Sequence, residues 1–195
     1  MLRVMSTAVH GSPAERLLAV AGELFAQEGI RAVGIDRLLA KAGVAKASLY
    51  QSFGSKDALV VAYIARQHEE DTRAFDRAAA RVHSPTDRVL LPFDLAVRKA
   101  RRRDFRGCLY LNAATEFPAP QSPVAPLVRE HRDWLAGVWR EALAQLGHSD
   151  PAGGAAALTV LYDGGLAGSK ATRTTAPITT ARAMAEDLLQ AISAE

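Results

Sequence analysis

Apolar residues recur at spacings of three and four along most of the chain, the pattern of helices that bury one face. Residues 14–28 carry the first such stripe, which ends at Gly29 and contains Leu17, Leu18, Ala21, Leu24 and Phe25. β-Branched residues are scattered and never alternate over the length of a strand. We therefore predict an all-α fold of nine helices with no strand.

Glycine, proline and serine mark where these helices begin and end. Two short helices, 35–42 and 46–53, are separated by Gly43 and Val44, and Ser55 can cap a long helix that runs to about Val82. Further helices are predicted from Pro85 to about Arg103, over 108–116, from about Val124 to Leu146, after the connection at residues 147–151, and from Pro177 onward. The natural boundary lies inside the long helix. It separates an N-terminal domain at residues 13–58, preceded by a frayed tail at residues 1–12, from a C-terminal domain at residues 59–195.

The composition restricts the class of protein. A single cysteine, Cys108, excludes an internal disulfide and is typical of a reducing cytoplasm. No apolar run approaches the roughly 20 residues that a membrane-spanning helix needs. The five histidines contain no i, i+4 pair, so we expect no metal site, and no motif calls for a cofactor. The net charge of +3 permits a nucleic acid as partner without requiring one.

The segment IDRLLAKAGVAKASLYQSF, residues 35–53, has the pattern of a helix-turn-helix. Small Ala42 and Gly43 allow the two helices to cross closely, while Leu49 and Phe53 are placed to face a core. The other side of the second helix then presents polar or small groups to a DNA groove: Lys46, Ala47, Ser48, Tyr50 and Gln51. The alternative is an ordinary helical packing unit that carries a few lysines.

Residues 24–59, LFAQEGIRAVGIDRLLAKAGVAKASLYQSFGSKDAL, resemble the N-terminal domain of the TetR family of bacterial repressors (TetR/AcrR type). The resemblance rests on AGV, LY-x-x-F and the F-G-S-K that follows. The segment GCLYLNAATEF, residues 107–117, is similar to one found in a branch of the same family. This resemblance implies a dimeric regulator of the nine-helix TetR-like fold. Such a repressor would bind a pseudo-palindromic operator on double-stranded DNA and be released by a small-molecule effector.

The resemblance also implies roles for individual residues. Residues 46–52 would form the recognition helix in the major groove, with Ala47, Ser48 and Gln51 at base edges. Tyr50 would contact phosphate or the sugar–thymine surface, and Lys56 with the first amides of its helix would hold a phosphate. Gly34 and Ala45 depart from the family, which usually carries Thr or Ser at the first position and often Ser at the second. The expected DNA-binding set is Gly34, Lys46, Ala47, Ser48, Tyr50, Gln51 and Lys56.

The C-terminal domain is expected to form a homodimer through its last two helices, which the resemblance pairs with their twofold mates. Small and apolar residues recur there at helical spacing. The expected interface consists of Leu161, Gly165, Ile178, Ala181, Ala185, Leu188 and Ile192. The alternative is that these stripes only cover the core of their own chain. A dimer would place two recognition helices about 34–36 Å apart along DNA.

A ligand pocket is expected among the middle helices, where the pockets of the family lie. The candidates on inward stripes are Phe93, Val97, Cys108, Leu109, Asn112, Trp134, Val138, Leu158 and Tyr162. Asn112 stands out because an amide within an apolar stripe needs a polar partner. The alternative for most of these residues is plain core packing.

Other interpretations remain open at this point. The basic run from Arg98 to Arg106 is interpreted as a solvated helix end, with a second DNA contact as the alternative. A helical protein-interaction adaptor would not need an exposed recognition helix. A small enzyme using Cys108 with His131 would need a nucleophile motif, which the sequence lacks.

Overall fold

The computed structural model describes residues 11–193, with side chains described as far as Gln190. Within residues 11–193 the chain folds into nine α-helices without a strand, which confirms the all-α prediction. They are α1 (Pro13–Glu28), α2 (Ile35–Ala42), α3 (Lys46–Phe53), α4 (Lys56–Ala79), α5 (Pro85–Ala100), α6 (Leu109–Glu116), α7 (Ala125–Gln145), α8 (Pro151–Thr172) and α9 (Ala176–Ser193). None of the helices in this range is long and apolar enough to cross a membrane. The frayed tail predicted at residues 1–12 lies almost entirely outside the described residues.

Two compact units make up the chain, an N-terminal unit through Tyr63 and a C-terminal unit from Ile64. In the N-terminal unit, α1 begins with a capping box. The Ser12 hydroxyl accepts a hydrogen bond from the Glu15 amide at 3.2 Å, and the Glu15 carboxylate accepts one from the Ser12 amide at 2.7 Å. Helix α1 packs against both α2 and α3. The core of this unit includes the fully or almost fully buried side chains of Leu17, Leu24, Leu38, Leu49 and Leu59.

The turn between α2 and α3 depends on a left-handed residue. Gly43 has φ 62° and ψ 41°, and its amide donates to the Ala40 carbonyl. The Val44 amide donates to the Leu39 carbonyl at 3.2 Å, which closes the end of α2. A β-carbon at Gly43 would have no heavy atom within 4 Å, so only the backbone conformation requires glycine here.

The C-terminal unit packs α5, α7, α8 and α9 around one apolar core. Trp139 of α7 is fully buried at its centre, and its indole N–H donates to the Val89 carbonyl of α5 at 3.0 Å. Phe93 and Leu158 are buried beside it. Because the indole is paired, this polar group enters the core without the cost of an unsatisfied donor.

Helices α8 and α9 approach closely within one chain. A β-carbon on Gly165 would lie 3.0 Å from the Ala181 β-carbon and 3.1 Å from the Ile178 α-carbon. Ile178, Ala181 and Ala185 are 1%, 5% and 0% exposed. Four residues of the expected dimer interface therefore pack α8 on α9 within the chain's own core, as the alternative interpretation has it: Gly165, Ile178, Ala181 and Ala185. Which residues contact a partner chain stays a prediction. Leu161 is half-buried against the same core and Leu188 is exposed, whereas the side chain of Ile192 lies outside the described residues.

Replacing Gly43 by alanine should lower the free energy of unfolding by about 1–2 kcal/mol, since a β-carbon disfavours the left-handed conformation. Chemical denaturation measured by circular dichroism checks this. Gly34→Ser is the matched control, because Gly34 has equally open space but an extended φ of −75° that serine adopts readily as a helix N-cap. An equal loss in both variants would contradict the conformational explanation.

Candidate functional site

Helix α3 is attached to the N-terminal unit by one side only. Leu49 is 0% exposed and Phe53 is half-buried. The opposite side is open to solvent, with Tyr50 46% exposed, Ser48 half-buried, and Lys46, Ala47 and Gln51 exposed. The helix predicted to enter a DNA groove thus has its anchoring residues inside and the residues expected to contact bases outside.

The cationic side chains near α3 differ in whether they form ion pairs within the N-terminal unit. Arg37 forms an ion pair with Glu28 at 2.8 Å and Lys41 forms one with Glu23 at 2.9 Å, so both neutralise carboxylates of α1. The Lys46 side chain makes no ion pair or hydrogen bond with any other residue in the described part of the chain. Lys46 therefore offers an exposed, unpaired charge at the start of α3.

The Lys56 side chain is hydrogen-bonded within the N-terminal unit. Its ammonium group donates to the carbonyl of Ile30 at 3.0 Å and to that of Arg31 at 3.4 Å, and so holds the start of α4 against the loop before α2. The phosphate contact expected of the Lys56 side chain thus competes with contacts inside the protein. Gly34 caps α2 without a side-chain hydrogen bond, and a β-carbon there would meet no heavy atom within 4 Å.

The C-terminal unit contains a cavity of about 230 Å³. Its walls come from α4, α5, α6, α7 and α8, and most of them are apolar or aromatic. The lining residues are Asp71, Ala74, Phe75, Pro92, Leu95, Ala96, Lys99, Gly107, Cys108, Leu109, Tyr110, His131, Trp134, Leu135, Tyr162 and Leu166.

The cavity contains part of the pocket predicted from the sequence: Cys108, Leu109, Trp134 and Tyr162 line it. The other predicted residues lie elsewhere in the unit. Phe93 and Leu158 belong to the core around Trp139, Val97 packs with Leu166 and Ile178, Val138 borders a separate open groove, and Asn112 is bonded within the chain.

Asn112 does have the polar partners that its position required. Its amide nitrogen donates to the Arg106 carbonyl at 2.9 Å, and its amide oxygen accepts from the Lys170 ammonium at 2.8 Å. The side chain therefore links α6 to α8 instead of facing the cavity. Asn112 is thus not among the residues that line this cavity, and its role as a ligand contact stays a prediction.

A carboxylate that the sequence analysis missed organises the polar wall of the cavity. Asp71 of α4 accepts hydrogen bonds from the Tyr110 hydroxyl at 3.0 Å, the Lys99 ammonium at 3.2 Å and the Gln67 amide at 3.2 Å. Tyr110 lies 39 residues from Asp71 and Lys99 lies 28 residues from it. Helix periodicity in the sequence could not have predicted these contacts, because no short motif joins residues so far apart.

His131 is the buried imidazole of this wall. Its ring stacks on Tyr110 with centroids 3.4 Å apart and planes at 10°, and its Nδ1 lies 3.2 Å from Nδ1 of His68. Burial lowers the pKa of His131 to about 3, so the ring is neutral at physiological pH.

Cys108 and His131 line the same cavity, which is where the thiol-enzyme alternative would place them. Burial raises the pKa of the Cys108 thiol and lowers that of the imidazole. A catalytic cysteine requires the opposite, a thiolate stabilised by a cationic neighbour. The electrostatics therefore disfavour nucleophilic chemistry by this pair.

Comparisons with known proteins identify the family of the N-terminal unit and relatives that share the whole fold. Residues 17–63 match the family described as bacterial regulatory proteins, tetR family. A TetR-family transcriptional regulator from Streptomyces coelicolor has a crystal structure that superposes with a TM-score of 0.88 at 34% identity, covering 93% of this chain and 96% of that one. A TetR transcriptional regulator from Chloroflexus aurantiacus has the same fold at 22% identity, with a TM-score of 0.82 over 91% of this chain and 94% of that one.

A relative in Mycobacterium tuberculosis, described as an uncharacterized HTH-type transcriptional regulator, is 27% identical over 138 residues. The match covers 71% of this chain and 65% of that relative, so the chain spans just under two thirds of the relative's length.

Acidification should destabilise the protein through His131. The unfolded chain takes up a proton below pH ~6.5, whereas the folded protein resists doing so until about pH 3, so stability falls as the pH drops through this window. Replacing His131 by phenylalanine keeps a flat ring beside Tyr110 and removes the titration. Between pH 7 and pH 5 the natural protein should lose about 2 kcal/mol more unfolding free energy than His131→Phe does.

Urea denaturation at the two pH values measures this difference. His83→Phe, at an exposed histidine, controls for the substitution itself. Identical losses in the natural protein and in His131→Phe would show that His131 is not held neutral by burial.

Proposed function

The chain belongs to the TetR family of bacterial regulatory proteins, and we propose that it acts as a dimeric repressor released from a pseudo-palindromic operator by a small-molecule ligand. Members of this family are transcriptional regulators with an N-terminal helix-turn-helix, and in this chain α2 and α3 form that motif. The observation that carries the proposal is the one-sided burial of α3, which leaves Lys46, Tyr50 and Gln51 exposed beside a buried Leu49. We place the protein in the cytoplasm, where bacterial operators are accessible.

We assign the contacts of α3 from side-chain chemistry and exposure. The Gln51 amide can form two hydrogen bonds with an adenine edge, and the Ala47 methyl group can contact a thymine methyl group. The Ser48 hydroxyl can donate or accept a hydrogen bond at a base edge. Tyr50 and Lys46 are assigned to the sugar–phosphate backbone, which positions the helix without specifying sequence. At the start of α4, the backbone amides rather than the ammonium group of Lys56 are assigned to a phosphate.

We propose that the dimer forms through the outer face of α8. In the single chain this face exposes a continuous series of small and apolar residues: Ala156, Ala157, Val160, Gly164, Ala167 and Ala171. Val160 is 71% exposed, and on α9 Met184 and Leu188 are 49% and 44% exposed. A twofold axis through such a face would bury the same surface on both chains and let the α8 backbones approach closely.

We propose that the cavity of about 230 Å³ holds the releasing ligand. Helix α4 begins in the N-terminal unit at Lys56 and supplies Asp71, Ala74 and Phe75 to the cavity wall, so a ligand there contacts a helix that both units share. A ligand shifts an equilibrium only by its preference for one state. Weakening operator binding a hundredfold requires a preference of about 2.7 kcal/mol for the dimer that does not fit DNA.

Two substitutions on α3 should change DNA binding in different ways, one through the salt dependence and the other through the affinity for the operator. Lys46→Ala should weaken binding to every duplex and reduce the log–log salt slope by about 0.9 per phosphate contact, hence about 1.8 for a dimer. Gln51→Ala should cost about 1–3 kcal/mol per base contact on the operator alone and leave the slope unchanged. The operator comes from selecting bound fragments of the source genome, and fluorescence anisotropy across a salt series gives the affinities.

Arg129→Ala is the control for lost charge, since Arg129 is exposed on α7 and is not assigned to DNA. Its affinities should match those of the natural protein. If the natural protein binds neither operator nor random duplex with a salt-dependent affinity, the helical-adaptor interpretation replaces the proposed function.

Replacing Gly164 by glutamate should convert the dimer to a monomer. A β-carbon at Gly164 meets no heavy atom within 4 Å in the single chain, so the substitution does not disturb the fold, yet it places a charge in the proposed interface. Sedimentation velocity measures the change. Ala183→Glu is the control, because Ala183 is exposed on α9 about 140° around the helix from Leu188. If Gly164→Glu remains a dimer, the interface does not lie on the outer face of α8.

A further inference from the structure

The size and the walls of the cavity restrict what it can hold. About 230 Å³ is less than the ~300–1,000 Å³ of sites for drug-sized ligands. Phe75, Leu95, Trp134, Leu135 and Leu166 supply apolar and aromatic surface around this space. The occupant is therefore a compact molecule with an apolar or aromatic body.

The charges in the wall are already neutralised by one another. Among the lining residues, Asp71 and Lys99 form an ion pair at 3.2 Å, and Asp71 also accepts from Tyr110 and Gln67. His131 stands beside this pair as a neutral ring. A charged ligand would enter without a counter-ion, and burying an unpaired charge is far more costly than burying a neutral group. The wall therefore favours an uncharged ligand.

Tyr162 supplies the polar group that the fold leaves unused. Its ring is fixed by edge contacts to Phe93 and Trp139, with centroids 5.4 Å and 5.6 Å apart. No hydrogen bond joins its hydroxyl to any other residue in the described part of the chain. Burial raises its pKa, so the hydroxyl keeps its proton and can donate it to a ligand. The hydroxyl of Tyr110, by contrast, already donates to Asp71.

We propose that the effector of this protein is a small, uncharged, largely aromatic or apolar compound whose oxygen accepts a hydrogen bond from the Tyr162 hydroxyl. This inference rests on the proposed function in one respect, that the cavity is the ligand site. It adds the chemical class of the ligand and names the residue that distinguishes an oxygen-bearing compound from a plain hydrocarbon.

Four probes of the same shape and the same number of non-hydrogen atoms test the proposal: acetophenone, isopropylbenzene, benzoate and 1-phenylethylammonium. The chain has two tryptophans, so ¹⁵N labelling gives two indole signals, which Trp134→Phe assigns. Titration of the full chain, followed at the Trp134 signal, gives a dissociation constant for each probe. Acetophenone should bind at least about tenfold more tightly than the two ions.

Replacing Tyr162 by phenylalanine separates the hydrogen bond from apolar burial. This variant should weaken acetophenone binding about fivefold and leave isopropylbenzene binding unchanged. Binding of isopropylbenzene also shows that the variant is folded. Tyr63→Phe makes the same chemical change in the N-terminal unit and should affect neither probe.

Tighter binding of either ion, or an equal loss for both neutral probes in Tyr162→Phe, overturns the proposed ligand class. Absence of any shift at Trp134 with all four probes overturns the cavity as a site for such compounds. Operator binding by the ligand-free protein is measured separately. Loss of that binding would contradict the proposed regulatory function, whereas the probe titrations test only the ligand class.

Discussion

The burial of Leu49 is the constraint on which the proposed DNA interface depends. Helix α3 has eight residues, whereas isolated helices shorter than about 12–15 residues are only marginally stable in water. Its N-cap, Ala45, makes no side-chain hydrogen bond, so capping does not compensate for the short length. Packing of Leu49 into the core with α1 and α2 therefore has to supply most of the stability. One face fixed in this way leaves the other positions of α3 free to be selected for DNA.

The N-terminal unit could be predicted almost residue by residue because its signals are local. The predicted bounds of α2 and α3, 35–42 and 46–53, are those observed. Gly43 ends α2 through a conformation that few other residues adopt, and the Ser55 hydroxyl accepts from the Ala58 amide as its position at a helix start predicted. Each of these signals acts over a few residues, so one sequence contains all the information needed.

The C-terminal unit contains contacts that local sequence signals do not predict. Periodicity at Ile178, Ala181 and Ala185 correctly indicates a buried face, but periodicity does not say whether that face is covered by the same chain or by a second one. Gly165 resolves the question, since its missing side chain admits Ala181 of the same chain. The cavity raises a similar difficulty. Asp71 lies in a helix that looks amphipathic and ordinary in sequence, and only the tertiary packing of α4 on α6 and α5 brings it to Tyr110 and Lys99.

Residue chemistry alone could not separate structural polar groups from functional ones, and the deciding property is whether the fold has already paired them. Lys56 and Asn112 had the chemistry expected of a phosphate contact and a ligand contact, yet both side chains bond within their own unit. Lys46 and Tyr162 have comparable chemistry, and their polar ends form no bond with other residues in the described part of the chain. Tyr162 is half-buried and lines the cavity, so its unbonded hydroxyl is a donor that a ligand in the cavity can satisfy.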